Sequence, residues 1–396
     1  MTSTEPYTLL NQLRADTPGC DRVLHFNNAG SALTTRQSLE TVLQHLRQEA
    51  QIGGYEAARM AGAAIEAVYD SVAALINAGR DEIAIVENAT RAWDMVFYAI
   101  RFQPGDRILT SVAEYASNYI AYLQIARRFG VLVEAVPNDE RGQLSVTALE
   151  TMIDRRVKLI AITHVPTNGG LVNPAVAIGR VARAAGILYL LDACQSVGQM
   201  PIDVQAIGCD MLSATGRKYL RGPRGTGFLY VRRGLLEQLD PPFLDLHAAI
   251  WTSRDTYEIR VDARRFETWE GNIAAKLGLG TAVDYALSLG IDRTYSRIVT
   301  LAEQLRERLR SINGVTIYDQ GSEQCGIVTF AMASKVSAEV RDNLFAQGIN
   351  VSITDNAHTR LDGDARNLPS MVRASVHYYN TDTEIERFSE AISRLS

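Results

Sequence analysis

Between Asp81 and Val231 the chain alternates short apolar runs with segments whose apolar residues recur at helical spacing. DEIAIVENAT, DRILTSVAEY and VLVEAVP read as strand segments, separated by a helix through Trp93 to Ile100 and another ending near Arg128. That rhythm predicts an α/β domain with a largely parallel sheet. The clearest unit follows. VKLIAITH (Val157 to His164) and ILYLLDAC (Ile187 to Cys194) are apolar without alternation, as strands buried on both faces are, and AVAIGRVARAAG between them is a helix ending at Gly186. Together they form a βαβ crossover. Both runs end in polar residues, His164 on one and Asp192 with Gln195 on the other. Strand carboxyl ends face the ligand crevice in open α/β sheets, so the site is expected there.

Beyond the Gly-rich RGPRGTGFLYVRRG the pattern changes to amphipathic helices at about Asn272 to Ser288 and Asp292 to Leu309, then shorter strands and a final helix. A three-layer large domain over residues 25–291 is expected, with a smaller α+β domain from 292–396 joined by 1–24. The 396 residues exceed what one core usually serves. No internal repeat or low-complexity tract is visible.

Composition narrows the function. Apolar residues make up 46%, and 40 basic against 45 acidic side chains give 40 − 45 = −5, with both signs scattered. Neither nucleic acid nor an anionic membrane is expected as a partner. Cys20, Cys194, Cys209 and Cys325 lie far apart, which fits a reducing cytoplasm better than a disulfide framework. The N-terminal stretch carries acids and lacks the basic start and apolar core of a signal peptide, and no apolar run reaches about 18 residues. The six histidines are dispersed without HExxH or CxxC spacing, so no metal site is expected. RGPRGTG precedes a strand rather than opening a helix, so it is not a dinucleotide fingerprint.

The candidate chemistry centres on Lys218, set among small residues and glycines in SATGRKYLRGPRGTG. A lysine that forms an imine must lose its proton, which desolvation or a neighbouring cation such as Arg217 promotes. A solvated loop lysine is the ordinary alternative. Asp192, ending a buried strand, needs a cationic partner to stay charged, and either a protonated ring nitrogen or a structural salt bridge would serve. Ala89 and Thr90 open a helix after a strand, where backbone N–H groups and a hydroxyl hold anions, with Thr215 and Arg217 to complete a phosphate cradle. Helix capping explains Asn88 and Thr90 equally well when each is taken alone.

In order, FNNAG, ENAT, AEYASN, THVPTNGG, LLDACQSVGQMPIDVQAIGCD, SATGRKYLRGPRGTGFLYV, RRFETWEGNIAAKLGLG and VRASVHYYNT resemble the class V aminotransferase group of fold-type I enzymes that use pyridoxal 5'-phosphate (PLP). That group includes cysteine desulfurases, carbon-sulfur lyases, kynureninase and isopenicillin N epimerase. The resemblance implies that Lys218 carries the cofactor as a Schiff base, with Asp192 against the pyridine nitrogen. It further implies Gln195 as donor to the phenolate oxygen and Ala89, Thr90, Thr215 and Arg217 around the phosphate. Arg373 would grip the substrate carboxylate, for which a planar bidentate fork is suited. His164 would stand near the substrate and the cofactor oxygen, and Asn28, Thr167 and Asn168 would contact substrate. A homodimer is implied, with Phe243 to Trp251 as a candidate interface or site mouth.

Three departures matter. Tyr115 follows Glu114 where desulfurases carry a ring-stacking histidine; a phenol can stack, but it shuttles protons poorly near neutral pH. The segment GINVSITDNAHTRLDGDARNLPSM lacks the cysteine that accepts sulfur in desulfurases, and Cys325 reads as a small core residue. On the cysteine-free segment, His358 and Arg360 could bind a polar substrate tail, and a solvated loop explains them equally. Trp269 and Glu270 replace a Gly-Thr that reaches phosphate, Glu270 has no evident role, and Asn272 is either a donor or a helix cap. The expected activity is therefore a PLP-dependent β-eliminating carbon-sulfur lyase acting on an amino acid. The alternatives are an aminotransferase or an epimerase of the isopenicillin N epimerase type, and a non-catalytic binding protein on the same fold.

Overall fold

The computed structural model describes residues 5–396. A seven-stranded sheet is built from β1 (Ile83–Val86), β2 (Arg107–Ser111), β3 (Leu132–Val136), β4 (Val157–Thr163), β5 (Leu188–Asp192), β6 (Met211–Thr215) and β7 (Gly227–Val231), in the order β1-β7-β6-β5-β4-β2-β3. Strands β2 to β6 pair in parallel, as the expected crossovers require. Only β7 runs against its neighbours, β6 and β1. Residues 216–226, which join β6 to β7, are too few for the crossover helix of a parallel pair.

Helices α1 (Arg36–Ile52), α2 (Gly62–Ile76), α3 (Ala89–Phe97), α4 (Ala116–Phe129), α5 (Ala175–Ala185), α6 (Ile273–Leu289) and α7 (Ile291–Arg310) provide the remaining cover. Alternation along β4 decides which layer each side chain joins. Leu159 and Ala161 pack with Trp93 and Phe97 of α3 and Tyr122 and Ile125 of α4. Ile160 and Ile162 join Val72, Ile178 and Val283 from α2, α5 and α6 on the opposite face. Every residue of β4 except Lys158 is buried, hence the unbroken apolar run. Gly186 closes α5 in the left-handed conformation at φ 66°, as a helix C-cap needs. Asn272 caps α6, its Oδ1 accepting from the Ala275 amide at 2.8 Å. The expected helix reaching Ile100 stops at Phe97.

A second sheet contains β8 (Val315–Ile317), β9 (Ile327–Met332), β10 (Ser352–Thr354) and β11 (Met371–Ser375), antiparallel in the order β8-β9-β11-β10. Arg306 of α7 is locked to this sheet: its Nε donates to Asp319 at 2.7 Å, and Asp319 accepts from the Thr329 amide and hydroxyl, each at 2.8 Å. The N-terminal segment joins the C-terminal one, since Leu24–His25 pairs in parallel with Ile349–Asn350 and Arg14 donates to Glu384 at 2.8 Å. Among the described residues no helix is long and apolar enough to cross a membrane.

Candidate active site

The carboxyl ends of β2, β4, β5 and β6 converge on a cavity of about 460 Å³. Asp192, Gln195, Thr215, Arg217 and Lys218 line it, with Ala89, Thr90, Tyr115 and Thr167 from other segments. Two glycines permit this convergence. A Cβ on Gly198, which has φ +81°, would come within 2.6 Å of the Leu220 amide, so only glycine lets the Asp192 loop lie against the Lys218 turn. A Cβ on Gly227 would meet the Ala214 carbonyl at 2.6 Å and Asn88 backbone at 2.8 Å. Its absence brings β7 against the start of α3.

Asp192 is 5% exposed, and each of its carboxylate oxygens accepts from one N–H donor. Oδ1 accepts from the Cys194 amide and Oδ2 from Asn118 Nδ2, both at 2.9 Å. Burial raises its pKa, opposed by those two donors and the charge of Lys218. Lys218 Nζ donates to Cys194 Sγ at 3.3 Å, so Cys194 stands between the two charged groups and lines the cavity. Burial also raises the Cys194 thiol, with Lys218 pulling the other way. Behind Lys218, Arg221 adopts φ 63° and donates to the Leu33 carbonyl and the Tyr378 hydroxyl, each at 2.8 Å, and to Thr17 Oγ1 at 2.5 Å. The Arg221 amide closes the turn on the Lys218 carbonyl at 2.9 Å.

Ala89 and Thr90 form the first turn of α3, where backbone N–H groups lack helical acceptors and favour an anion. Asn88 Oδ1 is committed to the Arg91 amide at 2.8 Å, so its side chain is a cap. Gln195 donates to the Ala29 carbonyl at 3.1 Å, while its buried Oε1 has no partner among the described residues.

Four sequence candidates stand behind the cavity wall. Arg373 of β11 donates to the hydroxyl of cavity-lining Thr167, and its buried Nε has no partner among the described residues. Burial pushes this guanidinium down to about 10. His164 is 6% exposed, has an unpartnered Nδ1 among the described residues, and is pushed down to about 4 by burial alone. Asn168 donates to Thr359 Oγ1 at 2.9 Å and accepts from Thr354, which ties β4 to the segment around β10. Asn28 is enclosed, donating to the Ser375 carbonyl at 2.7 Å and accepting from Tyr379; its amide is already committed, away from the cavity lining.

A neighbouring cavity of about 570 Å³ shares Glu87 and Gly225 with the first and holds Trp269, Glu270 and Asn272 in its wall. These departures therefore lie beside the Lys218 cavity. His358 is exposed and pairs with Asp355 at 3.3 Å, while its carbonyl accepts from the Ala116 amide at 2.9 Å. Arg360 is exposed at the start of a short helix. Cys325 is fully buried. Sequence reasoning missed Cys194, Asn118 and Arg221 as parts of the site. Cys194 could have been found from its position two residues after Asp192, but nothing local marks the others.

The chain matches the family described as Aminotransferase class-V over residues 24–388. A protein of Methanothermobacter thermautotrophicus named "Probable cysteine desulfurase" is 32% identical over 87% of this chain and 86% of its own. A "Cysteine desulfurase" of Serratia proteamaculans is 34% identical over 84% and 82%. The solved apo structure of a cysteine desulfurase from Thermococcus onnurineus NA1 superposes with a TM-score of 0.91 at 26% identity, covering 97% of each chain.

Proposed function

The chain belongs to the class-V aminotransferase family, whose members use pyridoxal 5'-phosphate, and from that premise we propose that it is a β-eliminating carbon-sulfur lyase acting on cysteine or a cysteine S-conjugate. The observation that carries the reading is the shared cavity of Lys218 and Asp192, with an anion-favouring helix start at its edge.

The donor set fits the cofactor. Lys218 would hold its aldehyde carbon covalently, Asp192 its ring nitrogen, and Ala89, Thr90, Thr215 and Arg217 its phosphate. Tyr115 would lie on a ring face, and Gln195, with an unpartnered buried amide oxygen, would adjoin the ring oxygen. When bound, the group withdraws electrons from the substrate Cα and so makes its proton acidic. Arg373, behind cavity-lining Thr167 and without a counter-ion among the described residues, would receive the α-carboxylate through Nε and Nη once Thr167 turns aside. Lys218 Nζ, released from the cofactor once the substrate amine has displaced it, would then take the Cα proton as general base. The C–S bond would break with its electron pair on sulfur, which would take the proton held by Lys218 and leave as a thiol, and water would complete the release of pyruvate and ammonia. His164, kept neutral by burial, can offer or accept a hydrogen bond without adding charge.

Relatives named cysteine desulfurase make sulfur transfer to an enzyme cysteine the neighbouring reading. The lack of any cysteine between Ile349 and Met371 favours direct elimination instead. Incubation with cysteine and cysteine S-conjugates decides between these outcomes. Pyruvate with free thiol supports the proposal, and alanine with an enzyme persulfide supports desulfuration. Amine transfer to a 2-oxo acid would make it an aminotransferase, and deuterium exchange at Cα without net product an epimerase.

We also read residues 25–291 as the cofactor-binding domain and 1–24 with 292–396 as the small domain. A cytoplasmic homodimer is part of the proposal. All four cysteines are free, and exposed Phe243, Leu246, Trp251 and Trp269 suit a second copy.

A further inference from the structure

The buried side of Asp192 faces a second carboxyl group through a single amide. Asn118 spends its Nδ2 donors on two acids, Asp192 Oδ2 at 2.9 Å and Glu114 Oε1 at 2.8 Å. Glu114 is 2% exposed and fixed from three segments. Its oxygens accept from Thr163 Oγ1 at 2.6 Å, the Thr163 amide at 2.9 Å, Thr110 Oγ1 at 2.9 Å and the Tyr115 amide at 3.1 Å.

The chemistry of these partners bears on the charge. Two backbone amides and the Asn118 amide can only donate and so favour the carboxylate, while the Thr110 and Thr163 hydroxyls can donate or accept. Burial opposes them and pushes Glu114 up to about 7. Two buried carboxylates linked through one amide disfavour each other's ionisation unless a cation is shared between them. The titratable groups around the pair include Lys218 and Arg217 from the turn after β6, the Cys194 thiol after β5, Tyr115 just before α4 and the Tyr122 hydroxyl on α4. Lys218 is the cation whose charge acts directly on Asp192, and it is also the group that would hold the cofactor.

We propose that Glu114, acting through Asn118, is a positioning residue that locks the Asp192 carboxylate in one orientation and places a second negative charge behind it, so that a cofactor ring nitrogen at Asp192 keeps its proton. The inference rests on the reading that Asp192 is that nitrogen's partner. Neither Glu114 nor Asn118 takes part in bond making. Asn118 transmits orientation, and Glu114 supplies the charge.

The test loads wild type, Asn118→Ala, Glu114→Gln and Asp192→Asn with pyridoxal phosphate labelled with 15N in the ring, and follows the ring-nitrogen NMR shift from about pH 7 to about pH 9, where Glu114 carries its charge. Thermal melting of the cofactor-free proteins identifies the folded variants. Asn118→Ala leaves Glu114 its other donors, so it decides the matter even if Glu114→Gln does not fold. In wild type the nitrogen stays protonated across the range. In Asn118→Ala, and in Glu114→Gln where folded, the midpoint falls by about one to two pH units, the size expected for a lost charge-assisted hydrogen bond. A wild-type titration in Asn118→Ala, alongside a lowered one in Asp192→Asn, overturns the inference and leaves the role of Asp192 standing. A wild-type titration in Asp192→Asn as well overturns that role and the inference with it.

Discussion

Asp192 and Lys218 are coupled through one residue: the Cys194 amide donates to Asp192 Oδ1 at 2.9 Å, and the Cys194 thiol accepts from Lys218 Nζ at 3.3 Å. The two groups expected to hold opposite ends of the cofactor's reactive system are thus set by the start of the loop after β5 and a turn after β6. Gly198 allows the two to touch.

That geometry makes Cys194 a reporter of occupancy. In cofactor-free protein a small alkylating reagent should modify Cys194 slowly, because burial raises its thiol. Cys209 and Cys325, both fully enclosed, should stay unmodified until the protein unfolds. Adding pyridoxal phosphate should protect Cys194, as mapped by peptide mass spectrometry. Modification at the same rate with and without cofactor would place the binding site elsewhere.

Arg373 should control substrate affinity more than chemistry. Replacing it with lysine keeps the charge but loses the bidentate fork, and kcat/KM should fall about 10- to 100-fold, mainly through KM. Steady-state kinetics on the best cysteine conjugate checks this. An unchanged KM with a reduced kcat would remove Arg373 from carboxylate recognition.

Arg221 should matter for folding of the Lys218 turn. Its guanidinium is buried without a carboxylate partner among the described residues and satisfies two hydroxyls and a carbonyl, so Arg221→Ala leaves several groups unpaired. We expect a loss of about 3 kcal/mol or more in urea unfolding, together with weaker cofactor binding. A loss under about 1 kcal/mol would show that the turn is held by other contacts.

Buried histidines and Glu114 should oppose each other in acid. His164 is pushed down to about 4 and His377 well below its ordinary value, both chiefly by burial. Between about pH 6.5 and pH 4 the unfolded chain binds protons that these histidines refuse in the fold, so their contribution makes stability fall as pH falls. For His164 the full effect is roughly 3 kcal/mol. Glu114, pushed up to about 7, acts in the other direction, since the fold binds its proton where the unfolded chain has released it. Its contribution is lost as pH rises from its unfolded value toward 7. Urea unfolding of cofactor-free protein over this range should therefore be less pH-dependent in His164→Gln and more acid-sensitive in Glu114→Gln. Parallel curves for all three proteins would contradict both assignments.

Much of this was readable along the chain because the deciding interactions are local. Unbroken apolar runs fixed β4 and β5 as strands buried on both faces, Gly186 ended α5, and Asp192 and Lys218 stood at strand ends. The reversal of β7 was less evident, since FLYV has the same apolar character in either direction and only the short connection from β6 forbids a crossover. Asn118 was not readable: its partner Asp192 lies 74 residues away, and an asparagine in the first turn of a helix looks like an ordinary polar residue. Arg221 is similar, since Tyr378 is 157 residues distant. Asn28 shows the converse, where a motif position suggested substrate contact but tertiary packing commits its amide to Ser375 and Tyr379.

The most direct measurement is borohydride reduction of the protein loaded with pyridoxal phosphate, followed by peptide mass spectrometry. The account predicts a single stable cofactor adduct on the peptide containing Lys218, absent from Lys218→Ala. An adduct on another lysine, or none in protein that has bound the cofactor, would contradict it.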